Sequence, residues 1–325
     1  MFLSRTKRLG AVATFVTSLV AVVALAGCSS SGSTSVSDQS SSNGTWAKAN
    51  GTIVFGATPD QAGSDANVKP IEDYLAKVTG YKVEYYPTAD YTALIAAAVA
   101  GKVDVITSGA LQYVMAVNKG AKIEPVAAQL NSDKVKDPGY YSEVIVPADS
   151  PLKSVSEAKG KTVCFVDPNS TSGFLFGLYQ LHKAGLNVES NGKDASGNPT
   201  FADFKAVFAG AHDKSEQSVA AKKCDIGLAE DSVAEEGAKK GEVKVLAKEY
   251  VPGGPFSVST SLPADAKKKV TDALQGASVD AIKQSGATLT AGFSKGYFGV
   301  QPETVDYYKT ITDLCSQIPA AKCSK

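Results

Sequence analysis

Histidine is scarce in this chain: His182 and His212 are the only two in 325 residues. Neither has a cysteine at the short spacings that tetrahedral zinc sites use, so no metal site is expected. A basic excess is missing as well. Lysine plus arginine number 33 and aspartate plus glutamate 33, which leaves no electrostatic footprint for nucleic acid. An anion site, if there is one, must work through local geometry rather than a broad positive field. The Gly-x-Ser-x-Gly elbow of many serine hydrolases is absent around Ser170. So is a clear membrane span: Leu9 to Ala24 is apolar, but short and rich in small residues. What remains, 43% hydrophobic and 20% charged, is globular, and the length allows two domains.

The N-terminus is of another kind. Arg5, Lys7 and Arg8 precede the apolar stretch, and Leu25-Ala26-Gly27-Cys28 follows it. This resembles the lipobox of bacterial lipoproteins, which implies removal of residues 1–27 as a signal peptide and lipidation of Cys28. The remaining chain then carries 30 basic against 33 acidic side chains. Residues 28–48, mostly Ser, Gly, Thr, Asp, Gln and Asn, bury too little apolar surface to fold and are expected to be a tether. The expected setting is outside the cell membrane, with the body held at its outer face by lipid. There the four other cysteines can oxidise, with three possible pairings. Cys315 and Cys323 are near each other in sequence, and Cys164 and Cys224 each fall in a predicted strand, so these two pairs are the expected ones.

From Thr52 the pattern alternates. Strands at Thr52–Ala57, Lys82–Tyr86 and Lys102–Thr107 are each followed by a helical pattern, as in a doubly wound parallel sheet. Residues 49–146 are expected to form the first part of one lobe. Residues 147–250 repeat the alternation as a second lobe, with strands at Thr162–Val166, Phe204–Phe208 and Cys224–Ala229. Residues 251–325 are expected to return to the first. Asn191 to Pro199, rich in Gly, Asn, Ser and Asp, reads as a surface loop. Functional loops at the carboxyl ends of strands would make two rims facing across a cleft.

The stretch Asp167-Pro168-Asn169-Ser170-Thr171-Ser172-Gly173 joins a strand to a helix on the second rim. Hydroxyls beside the unpaired N–H groups of a helix start make an anion cradle, although Ser, Thr and Asn are also ordinary capping residues.

Together with Asp90-Tyr91, Gly139-Tyr140-Tyr141-Ser142 and Gly210-Ala211-His212, in this order after a lipobox, the stretch resembles the phosphate-, phosphite- and phosphonate-binding proteins of ABC importers. The resemblance covers the body from about residue 52 onward. It implies a type II periplasmic-binding-protein fold, two α/β lobes joined by a two-crossing hinge. It also implies a monomer without cofactor or enzymatic activity that passes a ligand to a permease and its ATPase. Carried over residue by residue, the phosphorus-group contacts fall on Ser170, Thr171, Ser172 and His212, the last expected to stay charged. Tyr91 and Tyr140 would close over the ligand, with Tyr141 an adjacent rival.

Where relatives grip an aminoalkyl ammonium with carboxylates, this chain aligns Ser232 and Gly254, with Glu230 and Asp231 one or two positions away. That favours an amine-free, fully deprotonated phosphate, phosphite or simple phosphonate over an aminoalkylphosphonate. A competing reading recasts Ser170, His212 and Asp231 as a hydrolytic triad.

Overall fold

A computed structural model describes residues 46–323; Cys28, the signal segment and most of the Ser-rich stretch lie outside the described residues. In chain order the first strands and helices are β1 (Thr52–Ala57), α1 (Ser64–Thr79), β2 (Lys82–Tyr86), α2 (Tyr91–Val99), β3 (Val105–Thr107), α3 (Ala110–Asn118) and β4 (Ile123–Leu130). Then come β5 (Gly139–Pro147), β6 (Thr162–Phe165), a π-helical turn at Thr171–Leu175 and α4 (Phe176–Lys183). β7 (Ser190–Lys193), β8 (Pro199–Phe201), β9 (Lys205–Phe208), α5 (His212–Ala220), β10 (Ile226–Glu230), α6 (Asp231–Lys239) and β11 (Val243–Pro252) follow. The chain ends with β12 (Pro255–Ser259), α7 (Ala264–Gln275), α8 (Val279–Gln284), α9 (Ala291–Gly296), β13 (Gly299–Pro302) and α10 (Lys309–Gln317).

Two large sheets result, ordered β13-β4-β12-β3-β1-β2 and β11-β5-β10-β6-β9. In each, the βαβ alternation builds a parallel centre: β2-β1-β3 in the first, β10-β6-β9 in the second. The sheets are mixed rather than wholly parallel, because the strands that carry the chain between lobes must turn back. β12 runs antiparallel to β3, and β5 antiparallel to β10.

Three boundaries differ from the sequence expectation. Residues 139–147 belong to the second sheet, paired with β10 and β11, so the first crossing lies at residues 131–138 and not after 146. β11 was not expected at all; one side of this edge strand is exposed, which hides its apolar alternation. The expected loop at 191–199 is a short hairpin, β7 with β8.

The aromatic packing of the second lobe fixes the approach to its rim. Phe165 at the end of β6 is ringed by Phe174, Phe201, Phe204 and Phe208, with centroids 5.3–6.3 Å away. Such contacts anchor Phe174, and with it the turn just before it. Within that turn Gly173 presses on Val166: a Cβ there would stand 2.3 Å from Val166 Cγ2, so no larger residue fits without a shift. Cys164 of β6 is bonded to Cys224 just ahead of β10, and Cys315 to Cys323 near the C-terminus, each with Cα atoms 5.7 Å apart.

Candidate functional site

The carboxyl ends of β1, β2 and β3 and those of β6, β9 and β10 meet across the two crossings. On the first lobe a single buried side chain ties the rim together. Gln112 accepts from the Thr58 hydroxyl at 2.6 Å and the Gly109 N–H at 3.3 Å, and donates to the Tyr91 carbonyl at 3.2 Å. Asp90 caps α2 by accepting from the Ala93 N–H at 2.7 Å, which sets Tyr91 at the first helical position. The Tyr91 ring is buried, and its hydroxyl has no hydrogen-bond partner.

On the second lobe the stretch at 167–173 folds as an Asx turn and a helix start. Asp167 Oδ1 accepts from the Asn169 N–H at 2.8 Å. Ser170 is the N-cap, its Oγ accepting from the Gly173 N–H at 3.0 Å. It lies alongside the Tyr91 hydroxyl but is turned to this amide instead. The Thr171 and Ser172 N–H groups, at the first two helical positions, have no intrahelical acceptor. Ser172 Oγ accepts from the Tyr140 hydroxyl at 3.1 Å, and its carbonyl from Ser142 Oγ at 2.8 Å. Tyr140, not Tyr141, faces the turn; Tyr141 packs under Lys248, whose Nζ is 4.3 Å from its ring centroid.

His212 opens α5. Its Nδ1 accepts the Glu230 N–H at 3.0 Å, and its own N–H donates to the Asp60 carbonyl at 2.8 Å. Burial lowers the imidazole pKa to about 4, against the attraction of Asp60 and Asp213. His212 is therefore neutral near pH 7, not charged as expected. With Nδ1 accepting, the proton resides on Nε2, leaving a single neutral donor. The same geometry removes the hydrolytic triad: Nδ1 carries no proton to give Asp231, and Ser170 Oγ is spent on a cap.

Several contacts span the lobes. Thr171 Oγ1 accepts from the Leu111 N–H at 2.9 Å, so a residue expected to hold ligand caps α3 of the opposite lobe. Asn169 donates to Thr92 Oγ1 at 3.0 Å and Gln61 to Glu230 Oε1 at 3.3 Å. Lys295 pairs with Glu236 at 2.7 Å.

Next to this cluster is a cavity of about 140 Å³. Polar wall comes from Thr58, Asp60, Ser108, Gln129, Tyr140 and Glu230, and apolar wall from Val68, Ile71, Phe293 and Tyr297. Tyr140 and Asp231 are the two predicted site residues on its wall. Tyr91, Ser170, Thr171, Ser172 and His212 stand behind it, each at most 3% exposed. No lysine, arginine or histidine lines it. Burial raises Asp60 to about 6 and Glu230 to about 7, and also lifts Asp231, whose Oδ2 is buried without a partner. Gly254 cannot be replaced by an acid: its Cβ would sit 2.2 Å from the Ser108 carbonyl oxygen.

Asp60 and Gln112 escaped the sequence reading. Gln112 had a visible signal, an amide in the otherwise apolar Ala110-Leu111-Gln112-Tyr113-Val114. Asp60 had none beyond its place at a strand end.

Residues 55–303 match the family described as the periplasmic substrate-binding protein of phosphonate ABC transporters. The phosphate-import protein PhnD of Mycolicibacterium smegmatis is 32% identical over 292 residues, covering 84% of this chain and 87% of that protein. The phosphonates-binding periplasmic protein of Escherichia coli is 30% identical over 224 residues, 64% of this chain and 62% of that one. Among solved structures, PhnD1 from Prochlorococcus marinus in complex with methylphosphonate superposes with a TM-score of 0.68 at 20% identity, covering 83% and 98% of the two chains. That likeness gives the fold, a type II periplasmic binding protein.

Proposed function

The chain belongs to the periplasmic phosphonate-binding family of ABC transporters, and we propose that it captures phosphate, phosphite or a simple phosphonate between its lobes for delivery to a permease driven by an ATPase. The observation that carries this reading is the Tyr140 hydroxyl. Tyr140 lines the cavity and its hydroxyl donates to Ser172, so this side chain joins the cavity to the turn whose hydroxyls and amides begin a helix. Those groups, the Nε2–H of His212 and the Tyr91 hydroxyl are neutral donors, and the positive end of the helix dipole adds to them. Dispersed donors of this kind hold a tetrahedral anion without a counter-charge, which suits a cavity that no lysine, arginine or histidine lines. The lobes would close over the ligand by bending at residues 131–138 and 252–255. The body works as a monomer, lipidated at Cys28 and held on the outer face of the membrane.

A second cargo has one observation in its favour. Asp60, Glu230 and Asp231 all line the cavity, so carboxylates are present despite Ser232 and Gly254, and Asp231 could meet an ammonium on an alkyl arm. Calorimetric titration with phosphate, phosphite, methylphosphonate and aminoethylphosphonate decides the matter. Stoichiometric binding of one of the first three, tighter than aminoethylphosphonate, is expected. Preference for the amine would transfer the assignment to aminoalkylphosphonates, and silence from all four would end it.

A further inference from the structure

The cleft occupies the carboxyl ends of the strands of the first lobe, and the amino ends carry a second feature. β1, β2 and β3 run parallel, and β4 has the same direction, being antiparallel to β12, which is antiparallel to β3. The helices between them therefore bring their last turns to this opposite end. The last turns of α1, α2 and α3 each expose a valine: Val78, Val99 and Val117, at 44%, 40% and 37%. Three of the seven large apolar side chains exposed among the described residues thus gather at one end of one lobe. A concavity of about 290 Å³ lies there, walled by Trp46, Val99, Gly101, Gly120, Lys122 and Ser261.

Trp46, the only tryptophan in the chain, is where the described residues begin. Its ring packs edge-on against Tyr81, with centroids 5.0 Å apart. The Ala47 N–H donates to Asp104 Oδ1 at 2.9 Å, and Asp104 Oδ2 accepts from the Val54 N–H, also at 2.9 Å. The N-terminal stretch is thereby fastened to the body at this end and not at the cleft.

The charge here is of one sign once the pairs are set aside. Glu84 is shared by Lys48 and Lys82, Glu124 pairs with Lys267 at 2.7 Å, and Asp104 is buried and spent on its two amides. Lys77, Lys102, Lys119 and Lys122 are exposed and pair with no carboxylate among the described residues, against one exposed acid, Asp265 at the start of α7. Single exposed valines need no partner; valines, a tryptophan and unpaired lysines on one face, where a lipid-bearing segment joins, do.

We propose that this end of the first lobe is a docking face for an anionic bilayer, on which the body rests between deliveries. Trp46 and the valines meet the interface, and the lysines reach the phosphate groups of the lipids with their stems laid along the apolar surface. The docking rests on the lipid anchor proposed above, which makes a weak face sufficient by holding it close to the membrane. Resting this way turns the cleft toward the medium from which ligand arrives. Eighteen positions separate Cys28 from Trp46, a reach of up to about 65 Å when extended. A body of this size is about 50 Å wide, so the same anchor allows it to lift off and turn its cleft to a permease.

The single tryptophan provides the test. The lipidated protein is reconstituted on vesicles of phosphatidylcholine, or of equal parts phosphatidylcholine and phosphatidylglycerol, with brominated acyl chains as a contact quencher. Trp46 emission should be quenched at least about twofold more on the anionic vesicles, and raising the salt from about 0.05 to about 0.5 M should abolish the difference. Lys102→Glu, Lys119→Glu and Lys122→Glu together should lower the docked fraction at least about tenfold, while the variant still floats with the vesicles and melts at the parent temperature. Equal quenching on neutral and anionic vesicles, or in the triple variant, would show that Trp46 is only carried in by its tether, and would overturn the docking face. Flotation without quenching would overturn it too, leaving the lipid anchor intact. A protein that fails to float with either vesicle would overturn the anchor and the face together.

Discussion

Replacing Tyr91 by phenylalanine should move stability and affinity in opposite directions. The Tyr91 hydroxyl is buried, has no hydrogen-bond partner and stands beside Ser170, which is committed to its cap. An orphaned buried polar group costs about 1–3 kcal/mol, so removing the hydroxyl should stabilise the protein without ligand by that amount. For a chain of this size that is a rise in Tm of about 2–10 °C. If the hydroxyl donates to an oxyanion, the variant also loses a hydrogen bond to a charged group, about 1.5–3 kcal/mol, or roughly 10- to 150-fold in Kd. Titration of the phenol does not confuse the result, because burial among Asp60, Glu230 and Asp167 holds its pKa well above the ordinary tyrosine value. It remains a donor throughout the working range. Differential scanning calorimetry without ligand and isothermal titration with methylphosphonate read the two effects on one preparation. A variant that melts at or below the parent temperature and binds as well as the parent would refute the reasoning.

Ser172→Ala should weaken methylphosphonate binding by at least about 1 kcal/mol, and so should His212→Ala; unchanged affinity in both, by calorimetry, would remove the helix-start site. Asp60→Asn should raise Tm at pH 8, because a half-buried carboxylate whose pKa has risen to about 6 is charged there at a cost in the folded state only. The folded state binds the extra proton as pH falls, so the gain should fade as pH drops from about 6 toward 4, and melting curves across that range check the sign. Loss of the Cys164–Cys224 bond, which spans 60 residues, should cost about 4 kcal/mol in urea unfolding, against about 2.5 for Cys315–Cys323, which spans 8. Equal costs would show that chain entropy does not govern them.

The alternation of the first lobe could be read from residues because each of its strands is a short apolar run and each helix has an apolar stripe, as with Ile53 and Phe55 against Ile71, Tyr74 and Leu75. The turn from Asp167 to Gly173 was legible for a different reason: its capping chemistry is local. Sheet membership was not. Whether residues 139–147 pair with β4 or with β10 depends on which distant strand completes the ladder, and β11, which settles it, is half exposed and has Lys244, Lys248 and Glu249 set among its apolar residues. The charge on His212 was also out of reach, since it follows from burial that only the assembled lobes provide. Thr171 illustrates the same limit. Its neighbours in sequence suggest a ligand contact, yet its partner is an amide 60 positions away.

The two lobes press together at Gly109, where an added Cβ would come 2.7 Å from Thr171 Oγ1. A missing methyl group is therefore part of the fit between them. A side chain at 109 would act as a doorstop, met first by the Thr171 hydroxyl that accepts from the Leu111 N–H across the lobes. Position 109 thus separates gripping from shutting, two acts that the hydroxyl turn otherwise performs with the same residues.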